Sequence, residues 1–143
     1  CALPIFLQKE YDKALADLQV WVNNTINGPY TLTKEAIENW VDSYQYYTPN
    51  APTPKKKLNP EFAIEEGQQE AYLQFLLYAR RYETMFSGLR WFDIKRYGIE
   101  IYRRTMQSGQ PVSIGDMLKV RDNRCALQIP PDVISAGITP NPR

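Results

Sequence analysis

Residues 80–98 read RRYETMFSGLRWFDIKRYG, and this stretch decides how the rest of the chain is interpreted. It contains two helical segments that meet at Gly88, because glycine readily adopts the left-handed conformation in which many helices end. The pattern predicts a first helix over Gln68–Ser87 and a shorter one over Leu89–Tyr97 that ends at Gly98. The predicted buried face of the first helix consists of Tyr72, Phe75, Leu76, Ala79, Tyr82 and Phe86.

Three residues of this stretch, Glu83, Arg90 and Asp93, are candidate structural residues at the corner between the two helices. Glu83 falls on the apolar side of the first helix, where a carboxylate needs a partner. Arg90 follows the turn, so its guanidinium can reach back and form a buried or half-buried fork with that carboxylate. Asp93 can pair with Arg90 or Arg96. The pattern favours such a structural clamp over the alternative, a basic patch for an anionic ligand.

Residues 6–47 are predicted to form a helical hairpin. The first helix covers Phe6–Val22 and ends in the turn-forming residues Asn23–Gly28. Its apolar residues recur at the spacing of one helix face: Tyr11, Ala14, Leu15, Leu18, Trp21 and Val22. Thr33 is placed to cap the second helix. The apolar face of that helix is predicted to hold Ala36, Ile37, Trp40, Val41 and Tyr44.

Prolines divide the rest of the chain, because proline breaks helix interiors and sheet ladders. They concentrate in a predicted loop over residues 48–60 and again in Pro130–Arg143. The proline-free stretch between them predicts a helical block over residues 61–98. Asn59-Pro60 matches an N-cap followed by the first residue of a helix.

Residues 99–143 are predicted to be an irregular or β tail. Lys119–Asp122 and Arg124–Ile129 are expected to pair as a small hairpin across the Asp122-Asn123 turn. The last stretch, Pro130–Arg143, is expected to be extended.

Composition excludes several classes of function. The 143 residues carry 17 Lys+Arg and 16 Asp+Glu, a net charge of +1, which argues against a nucleic-acid-binding surface spread over the chain. Lys55-Lys56-Lys57 is therefore interpreted as a solvated loop.

The absence of histidine excludes Ser-His-Asp and Cys-His nucleophile systems and His-containing zinc sites. The two cysteines, Cys1 and Cys125, form no CxxC pair. No metal or cofactor is predicted.

The start of the chain, Cys1-Ala2-Leu3-Pro4-Ile5, has no methionine, and the helical pattern after it has no start signal of its own. We expect residues 1–5 to be a non-native or truncated start. Residues 6–143 are then expected to be part of a longer protein.

Two motifs carry a resemblance to a known family. The pattern RRxExxFxGxRWFDIKRYG over residues 80–98 resembles the signature near the C-terminus of SusD/RagB proteins. Residues 126–130 (ALQIP) and 140–143 (PNPR) resemble the Leu-x-Ile-Pro and Asn-Pro terminus of the same family. Tyr11–Leu18 resembles the second helix of a tetratricopeptide repeat. The resemblance implies a mainly α, SusD-like fold of tetratricopeptide-like helix pairs with a short β-hairpin and an extended C-terminal tail.

The resemblance also implies a function. SusD/RagB proteins are surface-exposed lipoproteins of the outer membrane that bind glycans or peptides as the lid of a SusC/RagA-type TonB-dependent transporter. They do no chemistry. Residues 6–143 would be the C-terminal portion, a scaffold, while the lipid anchor and much of the ligand site would precede it. Glu83, Arg90, Trp91 and Asp93 carry over as positions that hold the fold, and no ligand residue carries over.

Two other classes of function remain open from the sequence. A glycoside hydrolase needs two opposed carboxylates, and acidic residues are available at Glu65, Glu66, Glu70, Glu83 and Asp93. However, no spacing among them defines an opposed pair. A free-standing helical interaction module is the second alternative, supported by the Tyr11–Leu18 helix.

Aromatic residues near the proline-rich loop suggest a sugar-binding platform, because Tyr and Trp combine a flat apolar face with a polar tip. Trp21, Trp40 and Tyr44 lie on the apolar stripes and are expected in the core. Tyr46 and Tyr47 are the two aromatic residues expected to be exposed.

Overall fold

The computed structural model describes residues 7–142 and combines helices with a small two-stranded antiparallel sheet. The described residues form two compact units. Unit one comprises residues 7–57 and Phe62–Arg90, and unit two comprises Leu58–Glu61 and residues 91–142. Residues 1–5, for which a non-native or truncated start is expected, lie outside the described residues.

Unit one contains the helices α1 (Tyr11–Thr25), α2 (Lys34–Asp42) and α3 (Gln68–Glu83). The predicted helical hairpin is therefore present, with shifted ends. Helix α1 starts at Tyr11, because Lys9 has a φ of 64°, a conformation that a continuing helix does not allow. The predicted start at Phe6 lies outside the described residues. At its other end the helix continues through the asparagines expected to stop it, and Asn24 Nδ2 donates to Val20 O at 2.9 Å.

The predicted cap of α2 is confirmed. Thr33 has an extended backbone, and its Oγ1 accepts a hydrogen bond from the N–H of Ala36 at 3.1 Å. This bond satisfies one of the backbone donors that a helix start leaves unpaired. Trp40 and Tyr44 are half-buried, although the stripe pattern placed them in the core. The buried residues of α1 and α2 are Ala14, Leu18, Val22, Ile37 and Val41.

Helix α3 is buried on more than one face, so it is the central helix of unit one. Leu73 and Leu77 are buried in addition to the predicted Tyr72, Leu76 and Ala79. Two glutamines are buried as well and bond to backbone. Gln74 Oε1 accepts from Lys56 N at 3.1 Å, and Gln69 Oε1 accepts from Glu65 N at 2.7 Å. Such bonds offset the cost of burying an amide.

The end of α3 differs from the prediction. The helix stops at Glu83, and the two last residues of the predicted buried face are exposed, Tyr82 by 53% and Phe86 by 100%. Phe86 has a φ of 66°, and Ser87 N donates to Thr84 O at 3.1 Å, so the chain turns before another helical turn can form. Gly88 has a left-handed φ of 77°, as predicted.

Helix α4 (Arg90–Arg96) begins at the last residue of unit one, and its other residues belong to unit two. Unit two also contains a β-hairpin. Gly98 follows α4 with a φ of 55°, as predicted for the residue that ends this helix. The hairpin pairs β1 (Ile101–Gln107) with β2 (Gln110–Leu118), with Gln107 opposite Gln110.

The hairpin predicted over residues 119–129 is wrong, because the turn lies further upstream. Ser108 and Gly109 both have positive φ, 51° and 78°. A two-residue loop of this kind has a backbone twist that matches the twist of paired strands. Residues Asn123–Cys125 form a 3-10 helix instead, capped by Asp122, whose side chain accepts from Arg124 N.

Arg124 ties this segment to the hairpin. Its Nε donates to Asp122 Oδ1 at 2.9 Å, and its Nη1 donates to Asp116 Oδ2 at 2.7 Å. The hydrogen bond from the Arg124 side chain holds the pKa of Asp122 well below its ordinary value.

Two further predictions about loops are wrong. Asn59-Pro60 does not start a helix; Asn59 N instead donates to Tyr97 O at 2.8 Å. The tail is not wholly extended, because Pro131–Ser135 forms a short helix, α5, with proline at its first position. Among residues 7–142, no helix is both long and apolar enough to cross a membrane.

Candidate functional site

The motif residues occupy different environments. Glu83 is exposed rather than buried, and its Oε1 accepts a hydrogen bond from Trp21 Nε1 at 2.6 Å. Arg90 and Trp91 are half-buried, and Asp93 is buried with 3% exposure. The fork between Glu83 and Arg90 stays a prediction, while the bond from Trp21 is a contact of Glu83 that sequence reasoning did not anticipate.

A groove of about 520 Å³ lies on unit one between α1 and α3. Its wall includes Leu18, Val20 and Trp21 from α1, with Leu76 and Ala79 from α3. The hydrogen bond from Trp21 Nε1 to Glu83, the last residue of α3, holds the indole ring at one side of this groove. Val20 is 60% exposed. The groove therefore presents a mainly apolar concave surface.

A second feature of unit one is a run of five aromatic side chains, which we call the aromatic strip. Its members are Trp40 in α2, Tyr44 just after α2, and Phe75, Tyr78 and Tyr82 in α3. The ring centroids of Trp40 lie 5.2 Å from Tyr44, 5.5 Å from Phe75 and 4.6 Å from Tyr78. Those of Tyr78 and Tyr82 lie 4.9 Å apart. The distances and the mostly edge-to-face angles are those that attract aromatic rings to one another.

The strip arises from the periodicity of α3. Glu70, Gln74, Tyr78 and Tyr82 follow one another at four-residue steps and therefore lie along one helix face. Residues 44–57 contact the first half of this row: Tyr46 Oη donates to Glu70 Oε1 at 2.7 Å, and Gln74 bonds to the backbone of Lys56. The second half holds the tyrosines of the strip.

All five side chains of the strip are at least partly accessible. Trp40, Tyr44, Phe75 and Tyr78 are half-buried, and Tyr82 is 53% exposed. Tyr78 Oη donates to Tyr82 Oη at 3.0 Å. This bond, followed by burial, raises the pKa of Tyr78 to about 12. The raised pKa keeps the phenol of Tyr78 protonated at neutral pH, although the positive charge of Arg81 acts in the opposite direction.

Tyr46 and Tyr47, which the sequence suggested as exposed aromatic residues, each pair with a lysine. Lys55 Nζ lies 4.7 Å from the ring centroid of Tyr46, and Lys56 Nζ lies 3.5 Å from that of Tyr47, both within cation–π range. Tyr46 is 41% exposed, and burial together with the bond to Glu70 raises its pKa to about 12. Each ring thus has one face covered by an ammonium group. Of the lysine run expected to be solvated, Lys57 is exposed and the other two are half-buried.

Sequence reasoning missed Tyr78 and assigned Tyr82 to the core. The four-residue repeat of polar-tipped side chains along α3 was the available signal. Within residues 7–142 no group of three or more His, Cys, Asp or Glu side chains is arranged to hold a metal ion. Comparisons with protein-family models, with curated proteins and with solved structures found no match to this chain.

Proposed function

We propose that this chain is the C-terminal part of a SusD/RagB-type lipoprotein that binds a nutrient at the outer surface of the outer membrane. The nutrient is a glycan, or as a second choice a peptide. The protein acts as the lid of a SusC/RagA-type TonB-dependent transporter, performs no chemistry, and contacts the membrane only through a lipid anchor in the part that precedes residue 6.

The observation that carries this proposal is the occurrence of two motifs in the family's order, over residues 80–98 and over residues 126–143. The local structure is compatible with it. In the first motif, Gly88 follows α3 with a left-handed φ of 77°. In the second, Asn141 of the Asn-Pro terminus is joined to the Leu-x-Ile-Pro segment, since Gln128 Nε2 donates to Asn141 O at 3.3 Å and Asn141 Nδ2 bonds to Leu127 O.

The proposal is tested first by sequencing the source DNA upstream of the codon for Phe6. We expect an open reading frame of several hundred codons that starts with a signal peptide and a lipid-acceptor cysteine. A second test is affinity purification of the tagged full-length protein from detergent-solubilised outer membranes, which should bring down a TonB-dependent transporter. A start codon just upstream of Phe6 would contradict the proposal.

The alternative is a free-standing helical protein-interaction module, which the groove between α1 and α3 favours. The two proposals differ in the behaviour of residues 6–143 expressed alone. A part of a larger SusD-like protein should oligomerise or precipitate, because apolar faces such as this groove would be left open. A free-standing module should be a monodisperse monomer that unfolds cooperatively, as measured by light scattering and thermal melting.

A further inference from the structure

We propose that the Asn27-Gly28 pair, in the loop between α1 and α2, is a site of spontaneous covalent modification. The side-chain amide of Asn27 is lost as ammonia, and the residue becomes aspartate or isoaspartate. The inference does not depend on the proposed function, because it uses only the geometry of this loop. Conversion replaces a neutral side chain by a carboxylate, so the net charge of +1 falls by one unit.

The reaction needs a side-chain amide next to a backbone nitrogen that can attack it. The nitrogen of Gly28 forms a bond to Cγ of Asn27, and the bond from Cγ to Nδ2 breaks. Nδ2 leaves as ammonia together with the proton of the Gly28 N–H, and a cyclic succinimide remains. Water then opens this ring at either of its carbonyl carbons. Opening at Cγ gives aspartate, whereas opening at the backbone carbonyl carbon gives isoaspartate, in which the chain continues through Cβ and Cγ of residue 27.

The nitrogen of Gly28 is open to this reaction. Asn27 and Gly28 are both exposed, and the Gly28 N–H has no hydrogen-bond partner among residues 7–142. A Cβ placed on Gly28 would have no heavy atom within 4 Å apart from its chain neighbours. Since glycine adds no side chain of its own, the nitrogen can approach Cγ of Asn27 without displacing another group.

Most other asparagines are followed by a nitrogen that is paired within a helix or carries no proton. The nitrogens that follow Asn23, Asn24 and Asn39 lie inside α1 or α2, where the helix pairs them. Proline, which has no N–H, follows Asn59 and Asn141. These side chains therefore lack a backbone nitrogen that can attack them.

Asn50 is the best comparison with Asn27, because it is also exposed and lies in a loop. The nitrogen that follows Asn50 donates to Thr48 O at 3.3 Å and to Thr48 Oγ1 at 3.1 Å. In the same way, the nitrogen after Asn123 donates to Asp122 Oδ1 at 2.9 Å. Of the asparagines within residues 7–142, Asn27 alone is thus followed by an unpaired N–H.

The product affects two hydrogen bonds that fasten the loop to α1. Gln19 Nε2 donates to Tyr30 O at 2.9 Å, and Gln19 Oε1 accepts from Leu32 N at 2.6 Å. Isoaspartate lengthens the backbone between α1 and these two residues by one methylene group. We therefore expect isoaspartate at position 27 to loosen the bonds of Gln19, which ordinary aspartate would leave in place.

The test is incubation of the 143-residue chain at mildly alkaline pH. Peptide mass spectrometry with electron-transfer fragmentation then distinguishes asparagine, aspartate and isoaspartate at each position. Parallel samples are kept folded or unfolded in urea. We expect Asn27 to convert at a similar rate in both samples, because its surroundings are open in the folded chain. Asn50 should convert more slowly in the folded sample than in urea, because folding pairs the nitrogen that follows it.

Two variants separate structure from local sequence. Ala51→Gly places a glycine after Asn50, where the nitrogen is bonded in the folded chain. Asn50 of this variant should convert as fast as Asn27 in urea but more slowly than Asn27 when folded. Asn27→Gln is the blocking control, because the longer side chain would have to close a larger ring, and it should give no product at position 27. The inference is overturned if folding slows Asn27 as strongly as Asn50, or if another asparagine of the folded chain converts first.

A second readout is amide hydrogen exchange at Leu32. Exchange should be faster in the converted chain than in the fresh chain, because the Leu32 N–H loses its bond to Gln19. Asn27→Asp adds the charge without the extra methylene group and should exchange like the fresh chain. Equal exchange at Leu32 in the fresh and the converted chain would contradict the predicted loosening.

Discussion

Replacing Gly98 by alanine is expected to be among the most damaging single changes in unit two. Gly98 has a φ of 55°, and a Cβ added there would lie 2.1 Å from Asn59 O and 2.8 Å from the carbonyl carbon of the same residue. Asn59 donates two hydrogen bonds that hold it in place, from its N to Tyr97 O at 2.8 Å and from its Nδ2 to Gly98 O at 3.2 Å, and its O accepts a third from Arg121 Nη2 at 3.4 Å. Because the obstacle is backbone, no change of rotamer relieves the overlap.

The magnitude follows from two effects. A left-handed backbone costs a residue with a Cβ about 1–2 kcal/mol. Displacing Asn59 weakens or breaks the two hydrogen bonds that it donates, each of which contributes about 0.5–1.5 kcal/mol. We therefore expect Gly98→Ala to lower the free energy of unfolding of unit two by about 2–5 kcal/mol.

Two other glycines of unit two separate these effects. Gly109 has a φ of 78° with no atom within 4 Å of an added Cβ, so Gly109→Ala should cost only the backbone strain, about 1–2 kcal/mol. At Gly115 the nearest atom would be Arg103 O at 3.8 Å and φ is not left-handed, so Gly115→Ala should change stability by no more than about 0.5 kcal/mol. Urea unfolding followed by far-UV circular dichroism, with amide exchange to localise the effect, measures all three. The reasoning is refuted if Gly98→Ala costs no more than Gly109→Ala.

Three further changes are predicted. Thr33→Ala should destabilise unit one by about 1 kcal/mol through loss of the α2 cap, as measured by urea unfolding. Thr31→Ala is the control, because Thr31 lies outside the helix. Equal effects of the two substitutions would contradict the role of Thr33 as a cap. The hydrogen bond from Arg124 holds the pKa of Asp122 below its unfolded value, so the contribution of this carboxylate to stability is present above about pH 4 and is lost as the pH falls further. Asp122→Asn should therefore flatten the acid side of the plot of unfolding free energy against pH. An unchanged plot would contradict the pairing of Asp122 with Arg124. Phe86→Gly should raise the free energy of unfolding by roughly 0.5–1 kcal/mol. It relieves about 1–2 kcal/mol of left-handed strain at a fully exposed side chain, and the greater freedom of glycine in the unfolded chain offsets about 0.5–1 kcal/mol of this gain. A loss of stability in urea unfolding would contradict this reasoning.

Features governed by neighbouring residues were predictable from the sequence. The Thr33 cap and the left-handed Gly88 and Gly98 depend on backbone chemistry within a few residues, and the structure has all three. Phe86 shows where this reasoning stops. The spacing of Phe86 continues the apolar face predicted for α3. However, the helix ends at Glu83, so Phe86 is not part of that face.

The misplaced hairpin has a similar cause. Strand propensity suggested Arg124–Ile129, but a hairpin forms where a turn allows it, and Ser108-Gly109 provides two consecutive left-handed residues. Arg124 therefore does not lie in a strand, and its side chain donates hydrogen bonds to Asp122 and Asp116. Asp116 lies in β2, so this contact required knowledge of the strand pairing before it could be predicted.

The aromatic strip shows which part of a candidate site depends on tertiary structure. The four-residue repeat Glu70, Gln74, Tyr78, Tyr82 can be read from the sequence, and it is enough to place these side chains on one face of α3. Whether that face is covered depends on the segment that packs on it. The bonds of Tyr46 to Glu70 and of Lys56 to Gln74 place residues 44–57 on the first half of the row. Tyr82 lies two turns beyond Gln74 and is 53% exposed. Periodicity therefore located the row, and long-range contacts determined which of its residues are exposed.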